Sequence, residues 1–312
     1  MKEVNMSAVT GHRTQSAYTR HVVRRWGDYF FVIPSLLFIF AFLIFPILYN
    51  IIISFQDVTI MNLHGEKNFV GLENYSKVID SSEFSSSLYN SFKFTLICIL
   101  FQFIIGFALA LFFNINFPGR NIMRSLLLIA WMTPIVITAT LFKWLFSSDY
   151  GIFNYLLMNL GIIDQPIDWL TEKGTALYTT IIANIWIGIP FNMIILLSGL
   201  QSLPKELYEA ARIDGAGRIR QFVYITLPLM KPTIMILLML GIIYTFKVFD
   251  LIFIMTGGGP VNASTVLPLY AYKLAFIQFD FSSGAVVASI MFIILLLLSS
   301  IYLWLIRKEG AY

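Results

Sequence analysis

The sequence predicts an all-α, polytopic membrane protein with six transmembrane helices. Hydrophobic residues make up 58% of the 312 residues, charged residues make up only 12%, and the mean hydropathy is +0.79. This composition leaves too little polar surface to cover a water-soluble globule of this size. Six apolar runs are long enough to cross a hydrocarbon core about 30 Å thick, which needs roughly 20 residues per helix.

Each run is predicted to be a helix, because a backbone in lipid must satisfy its own hydrogen bonds. None of the runs shows the alternating pattern of a barrel strand. The predicted transmembrane domain covers residues 29–306, between tails at residues 1–28 and 307–312. The six runs are Tyr29–Phe55, Phe92–Phe113, Met123–Phe146, Thr175–Leu200, Thr233–Met255 and Gly284–Ile306.

The distribution of charge predicts the orientation, because cytoplasmic segments of membrane proteins carry an excess of Lys and Arg. Of the 21 basic residues, 14 lie in segments that share one side of the membrane, whereas the opposite segments are rich in Asp and Glu. We therefore expect both termini and the loop of residues 202–232 to be cytoplasmic. The 14 basic residues are Lys2, Arg13, Arg20, Arg24, Arg25, Arg120, Arg124, Lys205, Arg212, Arg218, Arg220, Lys231, Arg307 and Lys308.

Three other classes of chemistry are not indicated. Cys98 is the only cysteine, which excludes an internal disulfide, and the three histidines lack metal-ligand spacing. The net charge of +4 follows from the cytoplasmic basic residues, so no nucleic-acid partner is needed to explain it.

The first apolar run is too long for a signal-peptide core and precedes no small-residue cleavage site, so we expect no cleavage.

The loop of residues 202–232 is charged and interrupted by glycines, although it joins two apolar runs. Ser202 is a predicted N-cap for a short helix that Gly215 ends. A second short amphipathic helix is predicted to follow, until Pro228 and Pro232 stop it.

The first of these helices has small residues on one face, with Ala210 and Ala211 flanked by Glu209, Arg212 and Asp214. A face of this kind lets another backbone approach closely, with a polar rim around the contact. The same residues also fit a helix that rests on headgroups, with its arginines against anionic lipid.

The spacing in this loop resembles the EAA loop of the membrane subunits of binding-protein-dependent ABC importers. The matching positions include Glu209-Ala210-Ala211, Gly215, Ile225 and Leu227-Pro228, and Asp214 with Ala216 fits the IDGA form of sugar importers. In that family the loop forms a coupling helix, which sits in a cleft of the ATP-hydrolysing subunit. The resemblance implies this role for Glu209, Ala210, Ala211, Asp214, Gly215 and Ala216.

The resemblance extends over nearly the whole chain after the amino-terminal tail. Phe69–Tyr75 looks like the first external loop of carbohydrate permeases, and Thr256–Pro260 is similar to the loop after the fifth span of MalF-like members. The resemblance implies an ABC type I importer permease fold that moves a carbohydrate, above all an oligosaccharide, across the cytoplasmic membrane of a prokaryote. Glycerol phosphate or an acidic oligosaccharide is the alternative cargo.

The resemblance also implies partners: a second, homologous permease in a heterodimer, two copies of an ABC ATPase, an extracytoplasmic solute-binding protein and membrane lipid. The sequence lacks the phosphate-cradling motif G-x-x-x-x-G-K-[ST], and Leu197–Gln201 only partly matches the ATPase signature LSGGQ. We therefore expect no catalytic site, metal or cofactor on this chain, with ATP and magnesium bound by the partner ATPase. The aromatic segment Gly257–Ser283 would help receive the binding protein, or form an interfacial belt.

Polar and aromatic residues within the apolar runs are the candidate substrate pathway. A charge at the membrane midplane costs roughly 2.5–3.5 kcal/mol, but Lys247 and Asp250 lie three residues apart and could neutralise each other on one helical face. These two residues fit three interpretations: contact with a sugar, a buried pair that fixes helix register, or a solvated position near the outer interface. The candidates are Asn184, Asn192, Tyr244, Phe246, Lys247 and Asp250, and the asparagines could equally bond across helices.

Two rival classes make different demands on the sequence. A secondary transporter would require inverted internal repeats and a coupling-ion site, and neither is evident in the two halves. An intramembrane enzyme would require paired catalytic carboxylates, a nucleophile with its base, or a metal cluster. Lys247 and Asp250 alone do not provide one.

Overall fold

The computed structural model describes residues 30–63 and 65–309, with side chains to residue 306. The predicted tail at residues 1–28 and the last residues, 310–312, lie outside the described range. Packing divides the chain after residue 53, so nearly all of the first helix, α1 (Phe30–Ser54), belongs to one unit and the later elements form the other. The side chains of residues 30–46 on α1 are not covered by the rest of the chain, which suits an apolar helix that lipid would surround.

Strands β1 (Gln56–Asp57) and β2 (Asn68–Phe69) form a small antiparallel sheet, followed by helix α2 (Glu73–Ile79). The buried amide of Asn74 fixes this region by donating to the carbonyl oxygens of Ser54 and Gln56, at 3.0 and 2.8 Å.

An ion pair ties α2 to the segment before the last helix. The Lys77 ammonium lies 2.9 Å from the Asp280 carboxylate, which also accepts hydrogen bonds from the backbone N–H and hydroxyl of Ser283. Burial opposes ionisation of Asp280, but these donors outweigh it and hold the pKa of the carboxyl below its ordinary value.

Helices α3 (Ser82–Asn114) and α7 (Ala176–Gln201) form the centre of the second unit. Two glycines allow their close approach, because a Cβ added at Gly106 would lie 2.6 Å from the Asn192 Cβ, and one at Gly188 would lie 2.3 Å from the Gln102 side chain. Small residues at a helix interface have this effect in membrane proteins generally.

The third apolar run is two helices, which corrects the prediction of one continuous helix over Met123–Phe146. Helix α4 (Arg120–Met132) meets α5 (Ile135–Leu145) at an angle of 92°. The break falls at Thr133 and Pro134, whose ψ angles are 130° and 135°. Proline has no N–H for a helical bond, and its ring drives the preceding residue out of the helical region.

The fifth apolar run also differs from the prediction at both ends. Helix α9 (Arg218–Phe246) begins well before Thr233 and passes through Pro228 and Pro232, so the prediction that these prolines stop a short helix is wrong. A π turn over Phe222–Thr226 precedes Pro228. Local π geometry is one way in which membrane helices accommodate a proline.

Five more helices complete the described part of the chain. They are α6 (Ile152–Asn159), α8 (Lys205–Ile213), α10 (Asp250–Met255), α11 (Leu267–Ile277) and α12 (Phe281–Glu309). Among the described residues, five helices are long and apolar enough to cross a membrane, and the bent pair of α4 and α5 completes the predicted six.

Candidate functional site

The predicted coupling loop contains α8, a helix with no buried side chain. The helix begins after Pro204, and the hydroxyl of Ser202 donates to the Gly199 carbonyl oxygen at 2.8 Å. Ser202 therefore closes the end of α7, and the prediction that it caps α8 is wrong. Its side chain is occupied by the preceding helix.

A left-handed glycine ends α8. Gly215 has φ +76°, and its N–H donates to the Arg212 carbonyl oxygen at 3.0 Å. The N–H of Ala216 donates to the Ala211 carbonyl oxygen at 2.8 Å. These two bonds form a Schellman motif, which satisfies carbonyl groups that a helix end leaves without partners. An added Cβ at Gly215 would meet no atom within 4 Å, so only the backbone conformation requires glycine.

Two side-chain bonds fix the coupling loop to the start of α9. The hydroxyl groups of Tyr208 and Thr226 lie 2.9 Å apart, and the Gln221 amide donates to the Ala216 carbonyl oxygen at 2.7 Å. Gln221 and Thr226 are buried. The exposed helix and the residues that follow it are therefore attached to α9 through polar contacts with two buried side chains.

The predicted coupling residues occupy one continuous, accessible segment. Four of them are exposed and the other two, Ala211 and Ala216, are partly buried. Two apolar side chains beside them point away from the chain's own core, since Ile213 is 87% exposed and Ile219 is 82% exposed. Apolar residues this accessible at a polar rim are typical of a protein-interaction surface.

A cavity of about 410 Å³ lies among α3, α4, α5, α7 and α9. Its polar groups are three amides and two hydroxyls, one of them phenolic, and its aromatic groups are an indole, a phenyl and a phenol ring. None of the described residues that line it carries a charge. They are Gln102, Trp131, Ile135, Asn184, Ile187, Gly188, Phe191, Asn192, Gly241, Tyr244, Thr245 and Val248.

Backbone contacts hold two of the cavity amides in place. The Gln102 amide donates to the carbonyl oxygen of Asn184 at 2.9 Å, and the Asn192 amide donates to that of Gly188 at the same distance. The polar wall is therefore built on the close α3–α7 contact. Such pre-positioned polar groups in an apolar pocket are suited to orienting a ligand.

The structure brings together three of the predicted pathway residues, because Asn184, Asn192 and Tyr244 all line the cavity. Phe246 does not line it. This ring is 2% exposed and packs 5.4 Å from that of Phe92, in the core shared with α11 and α12.

Lys247 and Asp250 do not share a helical face, which corrects the predicted pair. Helix α9 ends at Phe246 and Asp250 begins α10, so the three-residue spacing spans a break. Both residues are exposed, and the Lys247 ammonium lies 5.1 Å from the centre of the Tyr244 ring. The described residues show no ion pair between them.

Four polar or aromatic residues of the cavity were missing from the predicted pathway: Gln102, Trp131, Phe191 and Thr245. Gln102 could have been found, because it is a polar residue within the second apolar run. Trp131 could not, since its position depends on the bend between α4 and α5.

Residues 102–309 match the family described as "Binding-protein-dependent transport system inner membrane component". The chain belongs to this family. The match confirms the family resemblance of the EAA loop, and it makes the chain a multi-pass permease subunit of an ABC importer. Its relatives are likewise named as permease proteins of transport systems.

Two of the relatives are named for sugar transport. The trehalose/maltose transport system permease protein MalF of Thermococcus litoralis is 36% identical over 276 residues, covering 88% of this chain and 92% of the relative. The arabinooligosaccharides transport system permease protein AraP of Bacillus subtilis is 31% identical, with 90% and 88% covered.

A solved structure has the same fold. A chain of a bacterial ABC transporter involved in the import of the acidic polysaccharide alginate aligns with a TM-score of 0.81 at 23% identity, covering 94% of this chain and 99% of that chain. The type I importer permease fold is confirmed by this likeness.

Proposed function

We propose that this permease carries a neutral oligosaccharide into the cell. The observation that carries the proposal is the uncharged cavity, in which amide groups face a space that also holds Trp131 and Tyr244. Amides and hydroxyls exchange hydrogen bonds with sugar hydroxyls, while aromatic rings cover the apolar faces of sugar rings. The transport names of the relatives from T. litoralis and B. subtilis agree with this class of cargo.

An anionic cargo is the second candidate, and one observation favours it. Lys247 is exposed and lies against the Tyr244 ring, next to the cavity. A relative from Agrobacterium fabrum, 34% identical over 277 residues, is named a sulfoquinovosyl glycerol transport system permease. Burying an anion in a cavity without a cationic lining residue is costly, which argues for the neutral cargo.

The exposed, capped helix α8 is the proposed contact with an ATPase. Glu209, Asp214 and the small residues between them would enter a cleft of that subunit, which would bind ATP and magnesium. The complete importer would contain two ATPase copies, a second homologous permease and an extracytoplasmic solute-binding protein. Both termini and α8 would be cytoplasmic, in agreement with the distribution of basic residues.

Purification of the tagged chain from its native membrane in mild detergent tests the assembly. Mass spectrometry is expected to identify a second six-span protein, an ATPase with Walker motifs and a solute-binding protein. The saccharide bound to that last protein then gives the cargo. A chain that purifies alone and moves solute in vesicles without ATP would instead support a secondary transporter.

A separate test addresses the cavity. Trp131→Ala should reduce uptake of neutral saccharide while leaving assembly intact, with Trp144→Ala as an exposed control outside the cavity. An anionic cargo would be indicated if Lys247→Gln abolished uptake and Trp131→Ala did not.

A further inference from the structure

A groove of about 460 Å³ lies at the opposite end of the helices from α8. Between Ser82 and α8 the chain crosses the membrane three times, through α3, the bent pair and α7. The groove is formed by the first turns of α3, the loop before α7 and the loop after α10, which all lie on that opposite side. The lining residues are Ser82, Glu83, Ser86, Tyr89, Asn90, Lys173, Val261, Asn262 and Ala263.

Hydrogen bonds between separate parts of the chain form the wall of the groove. The amide of Asn90, buried on α3, donates to the carbonyl oxygens of Ala263 and Thr265, at 3.1 and 3.0 Å. The Asn262 amide donates to Glu83 at 3.1 Å, and its oxygen accepts from Lys273 at 2.9 Å. These contacts fix the loop against the helix, so the groove is present before any ligand binds.

The chemistry of the groove suits a saccharide. The Tyr89 ring is 64% exposed, with the Lys93 ammonium 5.8 Å from its centre, and it lines the groove together with Ser82 and Ser86. Glu83 and Lys173 contribute one negative and one positive charge, so the lining has no net charge to select an ion. The volume falls within the range of about 300–1,000 Å³ that small-molecule sites occupy.

The groove is distinct from the transmembrane cavity. Tyr89 and Gln102 are on the same helix, 13 residues apart, which corresponds to about 20 Å at a rise of 1.5 Å per residue. Between them, the ammonium group of Lys93 lies 4.3 Å from the centre of the Tyr178 ring, on α7. The two spaces share no lining residue.

We propose that this groove is a second saccharide site, at the outer face, which holds the cargo before it enters the transmembrane cavity. The proposal rests on the proposed function for the sidedness of the groove and for the class of cargo. Tyr89 is the stacking residue of the site, and Glu83 and Lys173 bind sugar hydroxyls.

The test uses the complete transporter in nanodiscs without its binding protein. Saturation-transfer NMR with trehalose, maltose and maltotriose measures binding directly to Tyr89→Ala, Trp131→Ala and the unmodified protein. Tyr155→Ala is the matched control, because Tyr155 is 66% exposed and lies outside the groove. We expect Tyr89→Ala to weaken saccharide binding at the groove about tenfold, the effect of losing one stacked ring. Binding that depends on Trp131, in the transmembrane cavity, should remain.

The outcomes separate this proposal from the proposed function. Loss of binding in Trp131→Ala, with no change in Tyr89→Ala, overturns the outer site and leaves the proposed function intact. Binding of none of the three saccharides by the unmodified protein overturns the outer site for this class of cargo, and ATP-dependent uptake then decides whether the proposed function also fails. If Tyr89→Ala leaves saccharide binding in nanodiscs unchanged but alters how uptake into proteoliposomes depends on binding-protein concentration, the groove is a protein-docking surface and the proposal is wrong.

Discussion

The end of α8 provides the sharpest test of the proposed coupling between this helix and an ATPase. Gly215 has φ +76°, and an added Cβ would meet no atom within 4 Å. Gly215→Ala therefore introduces backbone strain without a steric clash. A left-handed conformation costs a residue with a Cβ about 1–2 kcal/mol, which lowers the ratio of capped to frayed helix ends by a factor of about 5–30.

Two variants control for the strain itself. Gly119 has φ +82° and is equally open, so Gly119→Ala carries a similar cost at the start of α4, outside the loop of residues 202–232. Gly215→Asn should be milder than Gly215→Ala, because asparagine enters the left-handed region more readily. The strain is thus matched in one control and relieved in the other.

Hydrogen exchange measures fraying at the end of α8, and a transport assay measures its effect on coupling. In Gly215→Ala we expect protection of the Ala216 amide, which bonds to Ala211, to fall by about that factor of 5–30. Saccharide uptake per ATP hydrolysed, measured in proteoliposomes of the complete transporter, should fall with it and recover partly in Gly215→Asn. The reasoning is refuted if Gly119→Ala lowers coupling equally, or if Gly215→Ala leaves Ala216 protection unchanged.

Three further predictions concern packing, pH and the attachment of α8. Gly106→Ala should lower thermal stability by about 1–3 kcal/mol because its Cβ would clash at 2.6 Å with α7, whereas Gly241→Ala, with its nearest contact at 3.6 Å, should not lower the melting temperature. The pKa of Asp280 is depressed in the folded protein, so the stability that its carboxylate contributes to folding is present above about pH 4 and is lost as the pH falls through the folded pKa. Asp280→Asn should therefore make the melting temperature depend less on pH in this acid range. A double-mutant cycle of Tyr208→Phe and Thr226→Val should give a coupling energy of about 0.5–1.5 kcal/mol in thermal unfolding, and additivity of the single effects would contradict the 2.9 Å bond.

Hydropathy and spacing determined the membrane class, the number of spans and the position of the loop that contains α8. These properties are local, since a helix in lipid needs about 20 apolar residues and a helix end needs a residue that tolerates positive φ. Gly215 could therefore be assigned to the end of α8 from the sequence. The same local logic identified Asn184 and Asn192 as polar residues within an apolar run.

Only the tertiary structure decided which side chains meet. Whether a proline breaks a helix could not be predicted from the sequence alone, because Pro134 breaks the third run whereas Pro228 and Pro232 lie within α9. The outcome depends on whether neighbouring helices and a π turn satisfy the freed backbone groups. The bend at Pro134 and the early end of α9 placed Trp131 in the cavity and separated Lys247 from Asp250, since side-chain proximity follows from packing and not from sequence spacing.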